Sequence, residues 1–255
     1  MSGLLEGKTA LVMGARNKWS IAWAIAEAYA KHGAKLALTY QGEREERKVR
    51  ELAEATGAVY FPCDVSDSEA VQGLFEKIGA EFGTLDALVH AVAYANKDEL
   101  AGDYMQTSRE GYLMAQNISV YSLVETARYA AELMKDGGSI QTLTYIGAER
   151  TVQNYNVMGV AKAALEASVR YLAVDLGRRN IRVNAISAGP LKTLAAQGIS
   201  DFDVVLRVVE ERAAMKRNIT QDEVADVSVF LASDLSRAVT GDVIHVDAGF
   251  HAVGI

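Results

Sequence analysis

The chain has 255 residues and a formal net charge of −7, and half of its residues are hydrophobic. This length can bury one large core, and the negative charge argues against nucleic acid as a bulk partner. The sequence shows neither a signal-peptide pattern nor a run approaching the roughly 18 apolar residues of a membrane span. Its single cysteine, Cys63, excludes an internal disulfide and fits a reducing compartment. We therefore expect a cytoplasmic protein without a membrane or nucleic-acid partner.

Short β-rich runs alternate with helical patterns along the whole chain. The predicted strands are KTALVMG, KLALTY, AVYFPCDV, DALVHAVAYA, GSIQTLTYI, IRVNAIS and DVIHVDAG. Apolar residues at helical spacing follow the first strand, where Ser20 can cap the helix start and Gly33 can end the helix. Two long helices are predicted over residues 111–138 and 156–179.

This alternation predicts parallel strands joined by right-handed crossovers. The strands are nearly continuous apolar runs, as expected when helices cover both faces of the sheet. No linker, repeat or low-complexity tract interrupts the chain, so we expect one domain over residues 1–255. The predicted fold is an α/β, Rossmann-type, doubly wound parallel sheet of seven strands. Its ligand site should lie at the carboxyl ends of the strands, where the strand order reverses.

The turn VMGARNKWSIA, after the first strand, is a candidate phosphate site. Gly14 lets the backbone leave the strand sharply, and Ser20 and Ile21 open a helix whose free N–H groups and dipole favour phosphate. The full G-x-G-x-x-G pattern is absent, so the residues alone leave a phosphate site and an ordinary turn open. The location after the first strand favours the phosphate site.

The ends of the second and third strands carry candidate adenosine contacts. Gln41 can hydrogen-bond ribose hydroxyls, and the glutamates of the following EREER stretch disfavour a 2′-phosphate, whereas its arginines favour one. The alternative for most of these charges is a solvated loop. We predict NADH as the cofactor rather than NADPH. Asp64 can accept from an adenine amino group or cap the next helix, and the sequence leaves both possibilities open.

Tyr155 and Lys162 form a candidate reaction centre. They are seven residues apart, which places them two turns apart on one helix face. A lysine near a phenol lowers the phenol pKa from about 10 and favours proton donation to a developing anion. Tyr145, at the end of the fifth strand, points into the same crevice. A packed tyrosine and a surface lysine are the alternative, but the position after a strand end favours a site.

Five segments carry a resemblance to a known family: GARNKWSIAW, CDV, LTYIGAERTVQNYNVMGVAKAALEASVRYLAVDLG, IRVNAISAGPLKTLAAQGI and TGDVIHVDAGF. The chain resembles the short-chain dehydrogenases/reductases over its full length. More specifically, it is similar to the NADH-dependent enoyl-acyl-carrier-protein reductases of bacterial type II fatty-acid synthesis. Ordinary members of the superfamily have a tyrosine four residues before the lysine and a serine on the preceding strand. Met158 and Tyr145 occupy those positions here, whereas Tyr155 lies where the enoyl reductases place their phenol.

The resemblance implies hydride transfer from NADH to the trans-2 double bond of an enoyl thioester on acyl carrier protein. This reaction is the last step of the elongation cycle. Tyr155 and a cofactor ribose hydroxyl would bind the thioester oxygen as charge develops on it. Lys162 would bind the nicotinamide ribose, and Tyr145 would shape the acyl site. The resemblance also implies a homotetramer. A carbonyl or alcohol oxidoreductase of the same superfamily and a nucleotide-binding regulator without catalysis are the competing readings.

Pattern and resemblance together give two sets of contact residues and no metal site. The predicted catalytic residues are Tyr145, Tyr155 and Lys162. The predicted cofactor contacts are Gly14, Ser20, Ile21, Gln41, Asp64, Val65, Val92, Lys162, Leu191, Lys192, Thr193, Leu194 and Ala195. The predicted substrate contacts are Ala95, Tyr145, Tyr155 and Met158.

A lid over the acyl chain is expected at about residues 193–209. The family would dock the acidic carrier protein on basic residues near the start of the lid helix. Here Asp201 and Asp203 are acidic and Arg207 is the nearby cation, which leaves the docking surface open.

Overall fold

A computed structural model of the chain describes residues 3–193 and 202–254. Its sheet contains seven strands, and every neighbouring pair is parallel. The strands are β1 (Thr9–Met13), β2 (Lys35–Tyr40), β3 (Val59–Pro62), β4 (Ala87–His90), β5 (Gly138–Thr144), β6 (Ile181–Ala188) and β7 (Val243–Val246). Their order is β3-β2-β1-β4-β5-β6-β7, which confirms the predicted doubly wound fold.

Eight α-helices connect and cover these strands in the described part of the chain. They are α1 (Ile21–Lys31), α2 (Glu43–Thr56), α3 (Ser68–Phe82), α4 (Arg109–Gln116), α5 (Ser122–Leu133), α6 (Asn156–Gly177), α7 (Phe202–Arg212) and α8 (Gln221–Ala232). As predicted, the Ser20 side chain caps α1, and Gly33 follows its end with a φ of 90°. None of these helices has the length and hydropathy needed to cross a bilayer.

Alternate residues of the central strands pack into two separate hydrophobic cores, one on each face of the sheet. Leu11 of β1 and Leu88 of β4 pack with α3, α5 and α6 on one face of the sheet. Val12 and Val89, one residue further along, pack with α1, α2 and α8 on the other face. Since strand side chains alternate between faces, each apolar run is buried on both sides.

The first of these cores also encloses the only cysteine of the sequence. Cys63, just after β3, is 6% exposed and packs within the cluster of α3 and α5. Burial raises the pKa of its thiol to about 12, and the nearby Asp64 and Asp67 charges act in the same direction. The thiol is therefore protonated at physiological pH.

Two predicted elements differ from those observed. The fourth strand ends at His90, because the following backbone leaves the sheet and the Tyr94 amide donates to the hydroxyl of Ser119 at 3.0 Å. The long helix predicted over residues 111–138 is interrupted by a π-helical turn at Asn117–Tyr121, which separates α4 from α5.

The strand order reverses between β1 and β4, and their carboxyl ends form the crevice at this point. Gly14 follows β1 with a φ of 90°, and a Cβ added there would lie 2.2 Å from the carbonyl oxygen of Ala91. Only glycine fits this close approach without moving one of the two backbones. The resulting crevice is where ligands bind in sheets of this class.

Candidate active site

Two tyrosines meet at the end of β5. Tyr145 follows that strand in an extended conformation, and Tyr155 lies directly before α6 as its N-cap residue. Their ring centroids are 5.2 Å apart with an interplanar angle of 75°, which is an edge-to-face contact. The turn between β5 and α6 therefore brings together two residues that are ten positions apart.

Two glycines fix the position of the Tyr155 ring. A Cβ added to Gly147 would lie 2.5 Å from Cδ1 of Tyr155, and one added to Gly159 would lie 2.9 Å from the carbonyl oxygen of Gly147. Both positions therefore exclude larger side chains without rearrangement. The first turns of α6 and the preceding turn also line an open cavity of about 380 Å³ that borders Tyr155.

Lys162 lies on the second turn of α6 and is 7% exposed. Its Nζ donates to the carbonyl oxygen of Leu143 at 2.7 Å. Burial lowers the pKa of the amine to about 8, and the charge of Glu166 partly opposes this shift. Lys162 therefore carries a positive charge at neutral pH but loses it within the mildly alkaline range.

A buried histidine lies on the neighbouring strand. Burial, followed by the charge of Lys162, lowers the pKa of His90 to about 3. Its neutral ring shares a hydrogen bond with Oγ of Ser122, with Nε2 and Oγ 2.7 Å apart. His90 is thus a packed side chain, and both of its ring nitrogens have hydrogen-bond partners.

The expected effect of Lys162 on the phenol is wrong for this conformation. Burial, with a further contribution from Tyr145, raises the pKa of Tyr155 above its ordinary value. Burial also raises the pKa of Tyr145 to about 12. The lysine amine is instead hydrogen-bonded to a backbone carbonyl, so desolvation decides the direction. Both phenols are therefore protonated at neutral pH and available as hydrogen-bond donors.

The predicted substrate contacts lie together. Met158 is buried in a small cluster with Ala115, and Ala95 and Tyr155 pack against that cluster. Since Tyr145 contacts Tyr155 directly, the four predicted positions form one apolar wall with two hydroxyl groups. Their roles toward a substrate stay predictions.

The first turn is built on the predicted Ser20 cap and on hydrogen bonds of Asn17 that were not predicted from the sequence. Oγ of Ser20 accepts from the amide of Trp23 and donates to the carbonyl oxygen of Asn17. The Asn17 side chain is buried and accepts from the amide of Trp19 at 2.8 Å. Ile21 packs against the core of α1, α2 and α8 and against a further apolar cluster that contains Val209 of α7 and Leu231 of α8. An asparagine three residues before a helix cap was the available signal for this turn.

Gln41 and Asp64 are brought together at the ends of β2 and β3. Nε2 of Gln41 donates to Oδ2 of Asp64 at 3.2 Å, while Oδ1 of Asp64 accepts from the amide and hydroxyl of Ser66. The cap of α3 is Asp67, so Asp64 is a turn residue rather than a helix cap. Burial raises the pKa of Asp64, but the hydrogen bonds outweigh it and lower the pKa overall. The adjacent Val65 is buried in the core.

The remaining predicted cofactor positions lie near the ends of β4 and β6. Val92 packs against the core of α3 and α5, and Leu191 packs against the cluster below α7 and α8. The amide of Thr193 donates to the carbonyl oxygen of Leu191 at 2.8 Å. Lys192 forms an exposed ion pair with Asp203 at 3.0 Å.

The predicted lid is described only in part. Its last portion belongs to α7, where Val209 is buried against the neighbouring cluster. The predicted contacts Leu194 and Ala195 lie outside the described residues. No group of three or more metal-ligating side chains occurs within residues 3–193 and 202–254.

A family described as Enoyl-(Acyl carrier protein) reductase matches residues 14–251 of the chain. The chain belongs to the enoyl-acyl-carrier-protein reductases. The predicted family and enzyme class are confirmed, with reduction of an enoyl thioester favoured over carbonyl or alcohol chemistry.

Individual relatives agree with this assignment. The reductase of Bacillus cereus, named as NADH-dependent, is 56% identical over 98% of this chain and 99% of its own length. That of Staphylococcus aureus, named as NADPH-dependent, is 51% identical over 98% of both chains. A crystal structure of the Bacillus cereus reductase with NADP⁺ and an indole naphthyridinone matches with a TM-score of 0.98 and 55% identity, covering 99% of this chain and 100% of that one. A nicotinamide cofactor is therefore supported, whereas the relatives differ in which one they use.

Proposed function

We propose that this reductase saturates the trans-2 double bond of an enoyl thioester on acyl carrier protein, with NADH as the cofactor and Tyr155 as the hydrogen-bond donor to the thioester oxygen. The observation that carries the proposal is the edge-to-face contact between two protonated phenols at the end of β5, directly before the helix that carries the buried Lys162. Bound NADH would supply the hydride that adds to the β-carbon.

The residues of the crevice fit a dinucleotide. Gly14 lets the backbones after β1 and β4 approach more closely than any side chain permits, and the start of α1 that follows has free N–H groups that would favour a pyrophosphate. The Gln41 amide lies where an adenosine ribose is held in such sheets. Lys162, which is buried on the second turn of α6, would reach the nicotinamide ribose by exchanging its bond to Leu143. Val92 and Leu191 would border the nicotinamide half.

The protein contributes a field and a proton donor at the thioester oxygen. Negative charge develops on this oxygen when the β-carbon is reduced, and the hydroxyl of Tyr155 can donate to it from a fixed position. Because burial raises the pKa of this phenol, the hydroxyl is fully protonated when charge develops. Tyr145 holds the edge of that ring, and Ala95 and Met158 would line the acyl chain.

The decisive experiment is the decrease in NADH absorbance with a medium-chain trans-2-enoyl thioester. Tyr155→Phe removes the donor but keeps the ring, and it should lower kcat by on the order of 10²-fold with the substrate KM little changed. Tyr60→Phe is the control, since this tyrosine lies on the edge strand β3 and packs against Tyr40, away from the turn between β5 and α6. An unchanged rate in Tyr155→Phe would remove the assignment. Consumption of ketones without any turnover of enoyl thioesters would overturn the proposed reaction.

The preference for NADH is proposed from the groups at the ribose position. The Gln41 side chain is neutral and already paired with an acidic residue, Asp64. A 2′-phosphate placed there would meet negative charge. Comparison of kcat/KM for NADH and NADPH in the wild-type enzyme tests this preference, and a larger value for NADPH would contradict it.

Docking of the carrier protein is proposed on exposed cations of α7. Asp203 is paired with Lys192, which reduces the acidic character of the helix start, and Arg207 and Arg212 are exposed further along. Since the carrier is acidic, its KM should rise with salt, and a double Arg207→Ala, Arg212→Ala variant should weaken that dependence. A KM that is independent of salt would argue against electrostatic docking.

We also propose a homotetramer in the cytoplasm, as the family resemblance implies. Support for assembly comes from exposed apolar side chains on α4, the π-helical turn, α5 and α6, which pack next to one another. They are Tyr112, Leu113, Met114, Tyr121, Val124, Tyr171 and Val174. Contiguous exposed apolar surface of this kind is typical of interfaces. We further propose that residues 1–255 act as one domain with the lid at about 193–209.

A further inference from the structure

An ion pair joins the first turn of the crevice to the start of α2. Nε of Arg16, two residues after Gly14, lies 2.5 Å from Oε1 of Glu45. The other carboxylate oxygen of Glu45 accepts from the backbone amide of Gln41 at 3.2 Å. One carboxylate thus links the loop after β1 to the loop after β2.

The two side chains differ in exposure. The Arg16 side chain is 57% exposed, whereas that of Glu45 is only 16% exposed. Glu45 is therefore held in place by its surroundings, and Arg16 reaches over it from the solvent side. The residue at the end of β2, Gln41, is the position that faces the adenosine ribose in dinucleotide-binding sheets.

We propose that Glu45 is a specificity-determining residue, which selects against the 2′-phosphate of NADPH by binding Arg16 and by placing a carboxylate at the ribose position. This inference deepens the proposed cofactor preference and rests on the proposed function. Arg16 would otherwise be a suitable phosphate ligand, since a guanidinium binds phosphate through paired N–H donors. With Glu45 in place, the positive charge of Arg16 is already neutralised.

A 2′-phosphate would have to separate this pair. If Arg16 turned to the phosphate, the carboxylate of Glu45 would remain largely buried without its cation and next to a second anion. Leaving a buried charge unpaired is costly, and two like charges at close range repel. A ribose 2′-hydroxyl has no charge, so NADH can bind with the pair intact.

The other cations near this position have different surroundings. Arg47 pairs with Glu51 at 3.7 Å, one turn further along α2. The amine of Lys18 lies over the ring of Trp19, 5.1 Å from its centroid. Arg44 is exposed on the first turn of α2 and is the rival candidate for a phosphate ligand. The experiment must therefore separate Arg16 from Arg44.

Glu45→Gln is the informative variant. The glutamine carbonyl can still accept from the amide of Gln41, but it no longer neutralises Arg16. We expect kcat/KM for NADPH to rise about tenfold while that for NADH changes little, since one nearby charge is removed. Glu46→Gln is the matched control. It removes the same charge from the neighbouring residue, whose carboxylate pairs with Arg50 at 2.8 Å. The ratio of the two cofactors should stay at the wild-type value in this control.

Two double variants identify the phosphate ligand. Adding Arg16→Met to Glu45→Gln should remove the gain for NADPH, whereas adding Arg44→Met should retain it. An unchanged cofactor ratio in Glu45→Gln overturns the proposal, as does an equal change for both cofactors. A gain that survives Arg16→Met overturns the role of the ion pair.

A binding measurement separates this proposal from the proposed reaction. Calorimetric titration with NAD⁺ and NADP⁺ reports the same selectivity without any turnover, and Glu45→Gln should lower the Kd of NADP⁺ by about tenfold. If wild-type enzyme turned over no enoyl thioester but the Kd ratio still shifted in this way, the proposed reaction alone would fail. An unshifted Kd ratio in an enzyme active on enoyl thioesters would overturn the role of Glu45 alone.

Discussion

At the scale of single residues, the main feature is a lysine amine buried on the helix that follows Tyr155. Lys162 has one hydrogen bond, to the carbonyl oxygen of Leu143, and burial holds its pKa at about 8 instead of 10.5. The native state therefore binds fewer protons at this site than the unfolded chain between those two pH values. By linkage, the contribution of Lys162 to the free energy of unfolding rises with pH across that window and is flat below it.

This shift predicts a difference between the wild-type protein and Lys162→Met. Between pH 7.5 and 9.5 the wild-type protein should gain about 1–2 kcal/mol in free energy of unfolding relative to the variant. Urea unfolding of both proteins at the two pH values measures this gain. Other titrating groups are common to both proteins and cancel in the comparison. Parallel pH profiles would show that the amine has an ordinary pKa.

The sequence predicted that Tyr145 and Tyr155 lie together, but it predicted the wrong direction for the pKa shift of the Tyr155 phenol. Spacing placed Tyr155 two turns from Lys162, and both lie at the start of α6 as expected. Desolvation raises a phenol pKa, whereas a nearby positive charge lowers it. Only the packing around the rings decides which of the two effects is larger. The ion pair between Arg16 and Glu45 could not be predicted either, because Arg16 lies in the loop after β1 and Glu45 lies on the first turn of α2.

At the scale of elements, the start of α6 is pressed against the turn that precedes it. Gly159 lies on the first turns of this helix and faces the carbonyl oxygen of Gly147, and both glycines border the Tyr155 ring. In an exposed helix, alanine is favoured over glycine by about 1 kcal/mol. Here a methyl group would lie 2.9 Å from that oxygen and would push the turn away from the helix.

We therefore expect Gly159→Ala to lower both the free energy of unfolding and the rate of enoyl reduction. Gly177→Ala, at the far end of the same helix, is the control because no atom lies within 4 Å of an added Cβ there. The control should gain about 0.5–1 kcal/mol and keep full activity. Urea unfolding and steady-state kinetics measure both effects. Equal stabilisation in the two variants would mean that the turn moves freely with the helix.

One long helix was predicted where the structure has α4 and α5 joined by a π-helical turn. Buried residues recur every four positions from Gly111 through Ala115 and Ser119 to Leu123 and Ala127. On a straight α-helix each four-residue step overshoots a full turn by about 40°, so this face would rotate away from the core. The wider turn absorbs the extra rotation. Hydrophobic periodicity finds the helix but does not show where its winding changes.

Helix α8 was not predicted from the sequence, although a local signal was present. Thr220 and Glu223 form a capping box, in which each side chain accepts from the backbone amide of the other residue. A threonine followed three residues later by a glutamate before an apolar run is the usual signature. Arg217 also donates to Glu223. This hydrogen bond, followed by the one from the Thr220 amide, lowers the pKa of Glu223 to about 2.

At the scale of the whole molecule, the sheet buries apolar residues on both faces while the outer helices keep an apolar surface. Tyr171 and Val174 of α6 are 77% and 79% exposed, and α6 packs against α4 and the π-helical turn, which also carry exposed tyrosines. A surface of this kind on a negatively charged chain favours self-association over binding to nucleic acid.

A homotetramer should therefore depend on this surface. Light scattering after size-exclusion chromatography should give about four times the chain mass of 27.5 kDa for the wild-type protein. Val174→Glu should reduce that mass, because a carboxylate would be buried at the interface without a partner. Leu4→Glu, a change at an exposed leucine near the end of α1, should leave it unchanged. A wild-type monomer, or an unaffected Val174→Glu variant, would contradict the assignment.

The doubly wound arrangement of seven parallel strands was predictable because parallel crossovers have one hand and few alternatives. Strand ends were less predictable, as β4 shows. Its apolar run continues to Ala95, but the backbone leaves the sheet after His90 to meet the hydroxyl of Ser119 from a distant helix. An apolar run alone does not show at which residue the hydrogen bonding of a strand to its neighbours ends.

The buried thiol near the third strand has a practical consequence. Because Cys63 is enclosed and protonated, maleimide reagents should leave the native protein unmodified. A cysteine placed at an exposed position of α7, such as Val204→Cys, would then be the single labelling site. A fluorophore attached there would follow movement of that helix when cofactor and acyl substrate are added, without removal of any native residue from the core.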